Sequence, residues 1–224
     1  AKDVSLIESK INKGLANSVI DGVTSIVNNY GKVIVIEDDI IVSKSFLQYM
    51  NDALNLYEND EQVWSIGSWN YFARSIKSNF LFRVPESIAW ATNKNAWSKL
   101  NTDSNYLVKE IEKNDLINEF NINGSLDFYN MLCLQKEGKV DSWAIRWYAS
   151  AFLDKGLCFY PQQSLSKHMG HGPNATNVLN DQDPFFQNFE VDNATFKLRK
   201  KLLDENLKVL DLFKIFHRPN TRKI

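Results

Sequence analysis

Val33-Ile34-Val35-Ile36-Glu37-Asp38-Asp39 is the stretch on which the reading of this chain turns. Four apolar β-branched residues in a row, without polar alternation and too few for a helix, predict a strand buried on both faces, as in a parallel sheet. Three carboxylates follow it directly. In open α/β sheets ligands bind beyond the carboxyl ends of the strands, so acids placed there are badly sited for packing and well sited for chemistry. Neighbouring anions raise one another's cost of ionisation unless a cation or a ligand's donors relieve them. Hard carboxylate oxygens suit magnesium or manganese, and such an ion can bridge a carboxylate to a diphosphate. The plainer alternative is a solvated loop whose acids cap the next helix.

The neighbouring segments give the strand its setting. Leu15, Val19, Val23, Ile26 and Val27 recur at helical spacing and predict a helix over 15–29, stopped by Asn28-Asn29-Tyr30-Gly31. Ser43 reads as the N-cap of a second helix with the stripe Phe46, Leu47, Met50, Ala53, Leu54 and Tyr57. A strand at 63–67 completes strand, helix, strand, the grammar of an α/β fold. Further on, 80–84 reads as a strand and 96–100 as a helical turn. Helices are predicted over about 103–120, 125–137 and 142–155, the second ending near Gly138 and the third with Gly156 as its C′ residue. Residues 157–160 form a last strand, and 164–190, rich in Gly, Pro, Asn and His, read as a long ordered loop of the kind that carries function.

Composition narrows the function classes. The chain has 224 residues, 44% hydrophobic and 24% charged, enough for a substantial core. A net charge of -1 gives no pull toward nucleic acid. No apolar run approaches the ~20 residues of a membrane span, and no secretory leader is recognisable. Cys133 and Cys158 are too few for a disulfide framework and lack metal-ligand spacing, so a reduced, cytoplasmic setting is expected. Abundant Asn, Lys, Ile and Asp suggest an AT-rich bacterial genome. The segment 191–224 differs, with nine Lys/Arg against four Asp/Glu and Phe196, Leu203, Leu207, Leu210 and Phe213 at helical intervals. It reads as a basic amphipathic tail following a domain at 1–190, packed on that domain or touching an anionic membrane.

A phosphorelay receiver also ends its first strand in acids, but it needs a later phosphoacceptor Asp and a Lys-Pro pair. Here the next strand runs into Gly67-Ser68-Trp69-Asn70, and no Lys-Pro follows. The ordered motifs resemble instead the GT-A glycosyltransferases, in particular the N-acetylglucosaminyltransferase I group and its bacterial relatives. The likeness runs through Val33–Asp39 and Val63–Asn70. It continues through Phe82-Arg83 and Pro85 to Ala89-Trp90 and Trp97, then Asp141-Ser142-Trp143, then His171-Gly172.

The resemblance implies a Rossmann-like, mixed and mostly parallel sheet flanked by helices. It implies an inverting transfer of sugar from a nucleotide-sugar donor, a UDP-sugar above all, to a glycan or glycoconjugate acceptor. Asp39 would bind the Mn2+ (or Mg2+) that holds the donor diphosphate, Asp38 would lie near the ribose and Glu37 near the transferred sugar. Asp141 would be the general base, with N-cap of the following helix as its plain alternative. His171 would belong to the loop closing over the diphosphate, with His168 as a second candidate. Trp90 would line the donor site, and Trp69 and Trp143 would stack on sugar faces, packing being the alternative for each.

Three departures accompany the likeness. The N-terminal βαβ portion of a GT-A domain is expected to be missing, since Val4-Ser5-Leu6-Ile7 and Asn12-Lys13-Gly14 match a point well inside it. Asn17-Ser18 stand where some relatives carry an arginine for the diphosphate. A helical insertion at about 103–138 is expected to shape a different acceptor site. The expected setting is bacterial surface-polysaccharide synthesis, in the cytoplasm or peripherally at the inner membrane face. The competing readings are a non-catalytic glycan- or partner-binding module of the same ancestry, and a metal-dependent phosphotransfer or hydrolase domain.

Overall fold

The computed structural model describes residues 3–70, 72–73, 75–169, 196 and 198–216. Helix α1 (Gly14–Tyr30) ends on Gly31, whose left-handed φ of 79° lets its N–H reach Val27 O, and strand β1 (Lys32–Ile36) starts at once. Then come β2 (Ile40–Val42), α2 (Phe46–Leu56), β3 (Val63–Gly67), β4 (Phe80–Phe82), β5 (Ala89–Asn93) and α3 (Lys94–Trp97). Helices α4 (Ser104–Lys113), α5 (Ile117–Phe120), α6 (Phe128–Lys136) and α7 (Trp143–Leu153) precede β6 (Leu157–Tyr160), β7 (Ser166–His168) and α8 (Leu207–Phe216).

The main sheet has the order β1-β5-β3-β6-β4, and β2 pairs with β7 in a separate two-stranded ladder. β3 and β6 are parallel neighbours, while β5 runs antiparallel to β1 and β3, and β4 antiparallel to β6. Strands β1, β3 and β6 therefore point one way, with two reversed strands among them. This is the mixed sheet flanked by helices expected of a GT-A-like α/β fold.

Alternation along the strands sorts side chains into two layers. Ala89 and Ala91 face α2 with Phe46, Tyr49 and Met50, whereas Trp90 faces α1 and α7. A register shift between Val63 and Ser65 puts Val63 and Ile66 together on the α2 side and Trp64 on the other.

β1 is only half-buried, because among the described residues it lies at the sheet edge with β5 as its one neighbour. The helix expected over 103–120 breaks at Asn114-Asp115, where Asp115 takes φ 55°. Ser43 does not cap α2; its carbonyl accepts from Phe46 N in the turn before the helix. Gly156 is needed for packing and not for a left-handed cap: Lys155 carries the positive φ, and a Cβ at 156 would lie 2.5 Å from the Trp64 ring. Strands β2, β5 and β7 have no counterpart in the sequence pattern.

The described part of the tail lies on the body. Phe196 packs edge-on against Tyr49, Lys201 N donates to the Tyr57 hydroxyl, and Val209, Leu210 and Phe213 of α8 enter a cluster with Phe72 and Phe82. Arg83 pairs with Glu205 and Glu119, pinning the tail to β4 and α5. Phe196 and Leu203 precede α8, so the helical stripe is shorter than the sequence suggested. No described helix is long and apolar enough to cross a membrane.

Candidate active site

The directions of the strands gather the candidate groups at one end of the sheet. β1 ends into Glu37-Asp38-Asp39, and β3 ends into Ser68-Trp69-Asn70. β5 starts at that same end, since Ile36 faces Ala89 and Gly67 faces Trp90. One turn separates α1 from β1, so the helix runs back along the strand and its N-terminus, Gly14, returns to the end where the acids lie.

Asp141 meets that helix terminus. Its Oδ2 accepts from Ala16 N at 3.4 Å, and Arg146 Nη2 stands 3.8 Å from its Oδ1. Gly14, at φ +75°, admits this approach: a Cβ there would lie 2.8 Å from Asp141 Oδ2. The cap of α7 is Ser142, whose Oγ accepts from Ile145 N, so Asp141 does not fill the N-cap role offered as its alternative. The amide at the helix N-terminus and the neighbouring guanidinium fix where the Asp141 carboxylate points. Arg146 donates its Nε to Ser142 O and is largely enclosed by α7's surroundings. Its only signal in the sequence is a cation five residues after the candidate base.

The three acids differ in setting. Asp38 is exposed, while Glu37 and Asp39 are half-buried. Burial, followed by the charges of Asp39 and Asp38, raises the Glu37 carboxyl to about 7. No ion pair among the described residues joins Glu37 or Asp38 to a cation. β2 continues from the acids, and its pairing with β7 places Ile40 opposite His168. Met169 N donates to Asp39 O at 2.8 Å, which ties the acidic turn to the chain leaving β7. His171 lies outside the described residues.

The tryptophans separate into two kinds. Trp69, just beyond β3, is half-buried and stands at the acidic end of the sheet. Trp90 and Trp143 are 0% and 3% exposed and stack on each other at 5.0 Å, inside a cluster with Trp64, Trp97 and Trp147. Their faces are covered by other rings, so direct contact of Trp90 with a donor, or of Trp143 with a sugar, is replaced by a packing role beneath the site.

No group of three or more His, Cys, Asp or Glu among the described residues is arranged to hold a metal ion. The oxygen-only donors at the end of β1 fit a divalent ion of the magnesium or manganese kind, which takes one or two carboxylates and completes its shell with substrate oxygens and water.

Glu86, in the turn before β5, is a buried acid that no sequence motif marks. It is 2% exposed and accepts from Ser68 N at 2.6 Å, Trp69 N at 2.8 Å and Ser68 Oγ at 2.9 Å. Burial outweighs these bonds and raises its carboxyl to about 7.

No curated protein matches the chain. Residues 22–102, from within α1 through the acidic turn, β3 and β5 to just beyond α3, match the model of the GNT-I family. Over that segment, and in the order of its motifs, this chain is similar to the GNT-I family, the N-acetylglucosaminyltransferase I group of glycosyltransferases.

Proposed function

We propose that this chain transfers a sugar from a nucleotide-sugar donor, a UDP-sugar in the first instance, to a glycan or glycoconjugate acceptor with inversion at the anomeric carbon. The observation that carries the reading is the arrival of Glu37-Asp38-Asp39 and of Asp141 at the same end of one sheet, from segments a hundred residues apart, within a chain similar to a glycosyltransferase family. In this reading Asp39 holds Mn2+ or Mg2+, which when bound stabilises the negative charge developing on the leaving diphosphate. Asp38, at the exposed position, serves the ribose, and Glu37 the hydroxyls of the transferred sugar. Trp69 offers a ring to a sugar face, and His171 belongs to the loop over the diphosphate.

Asp141 takes the proton of the acceptor hydroxyl. The acceptor oxygen forms its bond to the anomeric carbon as the bond from that carbon to the diphosphate oxygen breaks, and the nucleoside diphosphate leaves. Arg146, 3.8 Å from Asp141 Oδ1, orients that carboxylate toward the acceptor side of the site. The assembly of surface polysaccharide in a bacterium is the setting we infer. Arg199, Lys201 and Lys208 beside the exposed Leu202 and Leu207 support a peripheral contact with an anionic membrane. The test is UDP release from a panel of UDP-sugars with manganese and crude glycan acceptors. Release lost in Asp39→Asn and Asp141→Asn supports the reading. Equal release by wild type and both variants contradicts it.

A further inference from the structure

Glu86 sits where three segments of the acidic end meet. Its carboxylate takes the N–H groups of Ser68 and Trp69, which fixes the turn leaving β3. Ser68 Oγ bonds both Glu86 Oε1 and, at 2.5 Å, the hydroxyl of Ser166 on β7. Ser166 faces Val42 in the β2–β7 ladder, and that ladder leads to Asp39, whose carbonyl accepts from Met169 N. Hydrogen bonds from Glu86 through Ser68 to Ser166, the covalent chain of β7 from Ser166 to Met169, and the Met169 N–Asp39 O bond thus link a buried carboxylate to the backbone of the proposed metal-binding residue. Gly67 is shaped around it, because a Cβ there would stand 2.6 Å from Glu86 Oε2.

No cation faces this carboxylate in the described structure; the titratable groups near it are Tyr49, Cys158 and Tyr160. A buried carboxyl lacking a cation costs stability that an apolar residue would not. Its place at the meeting point of β3, β5 and β7 gives it a positional reason.

We propose that Glu86 is a positioning residue of this site: by clamping Ser68 and Trp69 and, through the Ser68–Ser166 hydroxyl pair, the β2–β7 ladder, it sets the place of Asp39 and of Trp69. The functional part rests on the reading of Asp39 as a donor-site residue. The clamp itself does not. Glutamine can reproduce it, with its oxygen accepting the two N–H groups and its amide donating to Ser68 Oγ, which then donates to Ser166. Alanine removes every acceptor.

The experiment compares wild type, Glu86→Gln, Glu86→Ala and Ser68→Ala by amide hydrogen exchange without ligand, and by titration of UDP with Mn2+. In Glu86→Ala the Met169 amide exchanges at least about tenfold faster relative to α7 amides, and UDP–Mn2+ affinity falls by about tenfold or more, the size typical of lost outer hydrogen-bond partners. Glu86→Gln restores both. Unchanged Met169 exchange in Glu86→Ala, or Glu86→Gln as impaired as Glu86→Ala, overturns the proposal. Should Glu86→Ala not fold, Ser68→Ala, which removes the hydroxyl link alone, decides by the same Met169 readout. Absence of UDP–Mn2+ binding in wild type would count against the donor-site reading, and the exchange comparison would still decide the clamp.

Discussion

The carboxylate of Asp141 accepts a hydrogen bond from the backbone of Ala16 across 125 residues of sequence, so the candidate base is tied to the N-terminus of α1 as well as standing beside Arg146 of α7. That contact brings a residue ahead of α7 to the end of the sheet where β1 releases its three acids. It also gives Gly14 two duties: a φ of +75° and an approach that leaves no room for a Cβ.

Replacing Gly14 by alanine should therefore damage both backbone and site. The left-handed φ alone costs about 1 kcal/mol for a residue with a side chain, and the Cβ would push Asp141 from Ala16 N. Urea unfolding should show a loss of at least that size. Asp141→Asn, which keeps the shape, should lose much less stability than Gly14→Ala. Equal stability of Gly14→Ala and wild type would contradict the assigned contact.

The tryptophan cluster makes a separate prediction. Trp143→Ala removes a ring that is 3% exposed and stacked on Trp90, so a loss of about 3–5 kcal/mol is expected, in line with large-to-small core changes. Trp69→Ala, at a half-buried position, should cost clearly less. Denaturation midpoints reversing that order would return Trp143 to the sugar-contact role.

Gly67→Ala tests the packing around Glu86. The new Cβ would meet Oε2 at 2.6 Å and Tyr160 Cε1 at 3.1 Å. Overpacking of this kind costs about 1–3 kcal/mol. In the Glu86→Gln background the same penalty should persist, because the amide fills the same space. An additive double mutant with no penalty in either background would show that the turn yields freely.

The raised carboxyl of Glu86 has a signed consequence. With an ordinary value of 4.5 in the unfolded chain and about 7 in the fold, the native state holds the proton more tightly. Stability from this group is fully present below pH 4.5 and is lost as pH rises through 7, by about 3 kcal/mol if the whole shift is expressed. Glu86→Gln lacks this titration. Its stability relative to wild type should therefore improve progressively from pH 4.5 to 7 in buffered chemical denaturation. A constant difference across that window would contradict the assignment.

How far the sequence spoke for itself follows from the kind of signal each element carries. β1, β3 and β6 are short apolar runs, and α1, α2 and α7 are apolar stripes between turn residues, so local pattern sufficed. β5 reads Ala-Trp-Ala-Thr-Asn, poor in β-branched residues, and β2 and β7 have three residues each; only their partners make them strands. Edge and centre look alike in a run such as Val33–Ile36, so the half-burial of β1 at the sheet edge is not legible in its pattern. The acids were legible because carboxylates after an apolar run are costly for packing. Glu86 and Arg146 were not, since a single charge acquires meaning only from what folding buries beside it. Trp90 and Trp143 misled for the converse reason: an aromatic ring in a motif fits core and sugar site equally well.

The most direct test of the central claim is calorimetric titration of UDP into the protein with and without Mn2+, in wild type and Asp39→Asn. Wild type should bind UDP only with the metal and Asp39→Asn should not bind it, while the variant's thermal unfolding stays close to that of wild type. Binding of equal strength in wild type and Asp39→Asn, or binding indifferent to manganese, would contradict the assignment of the acidic turn as a metal-dependent donor site.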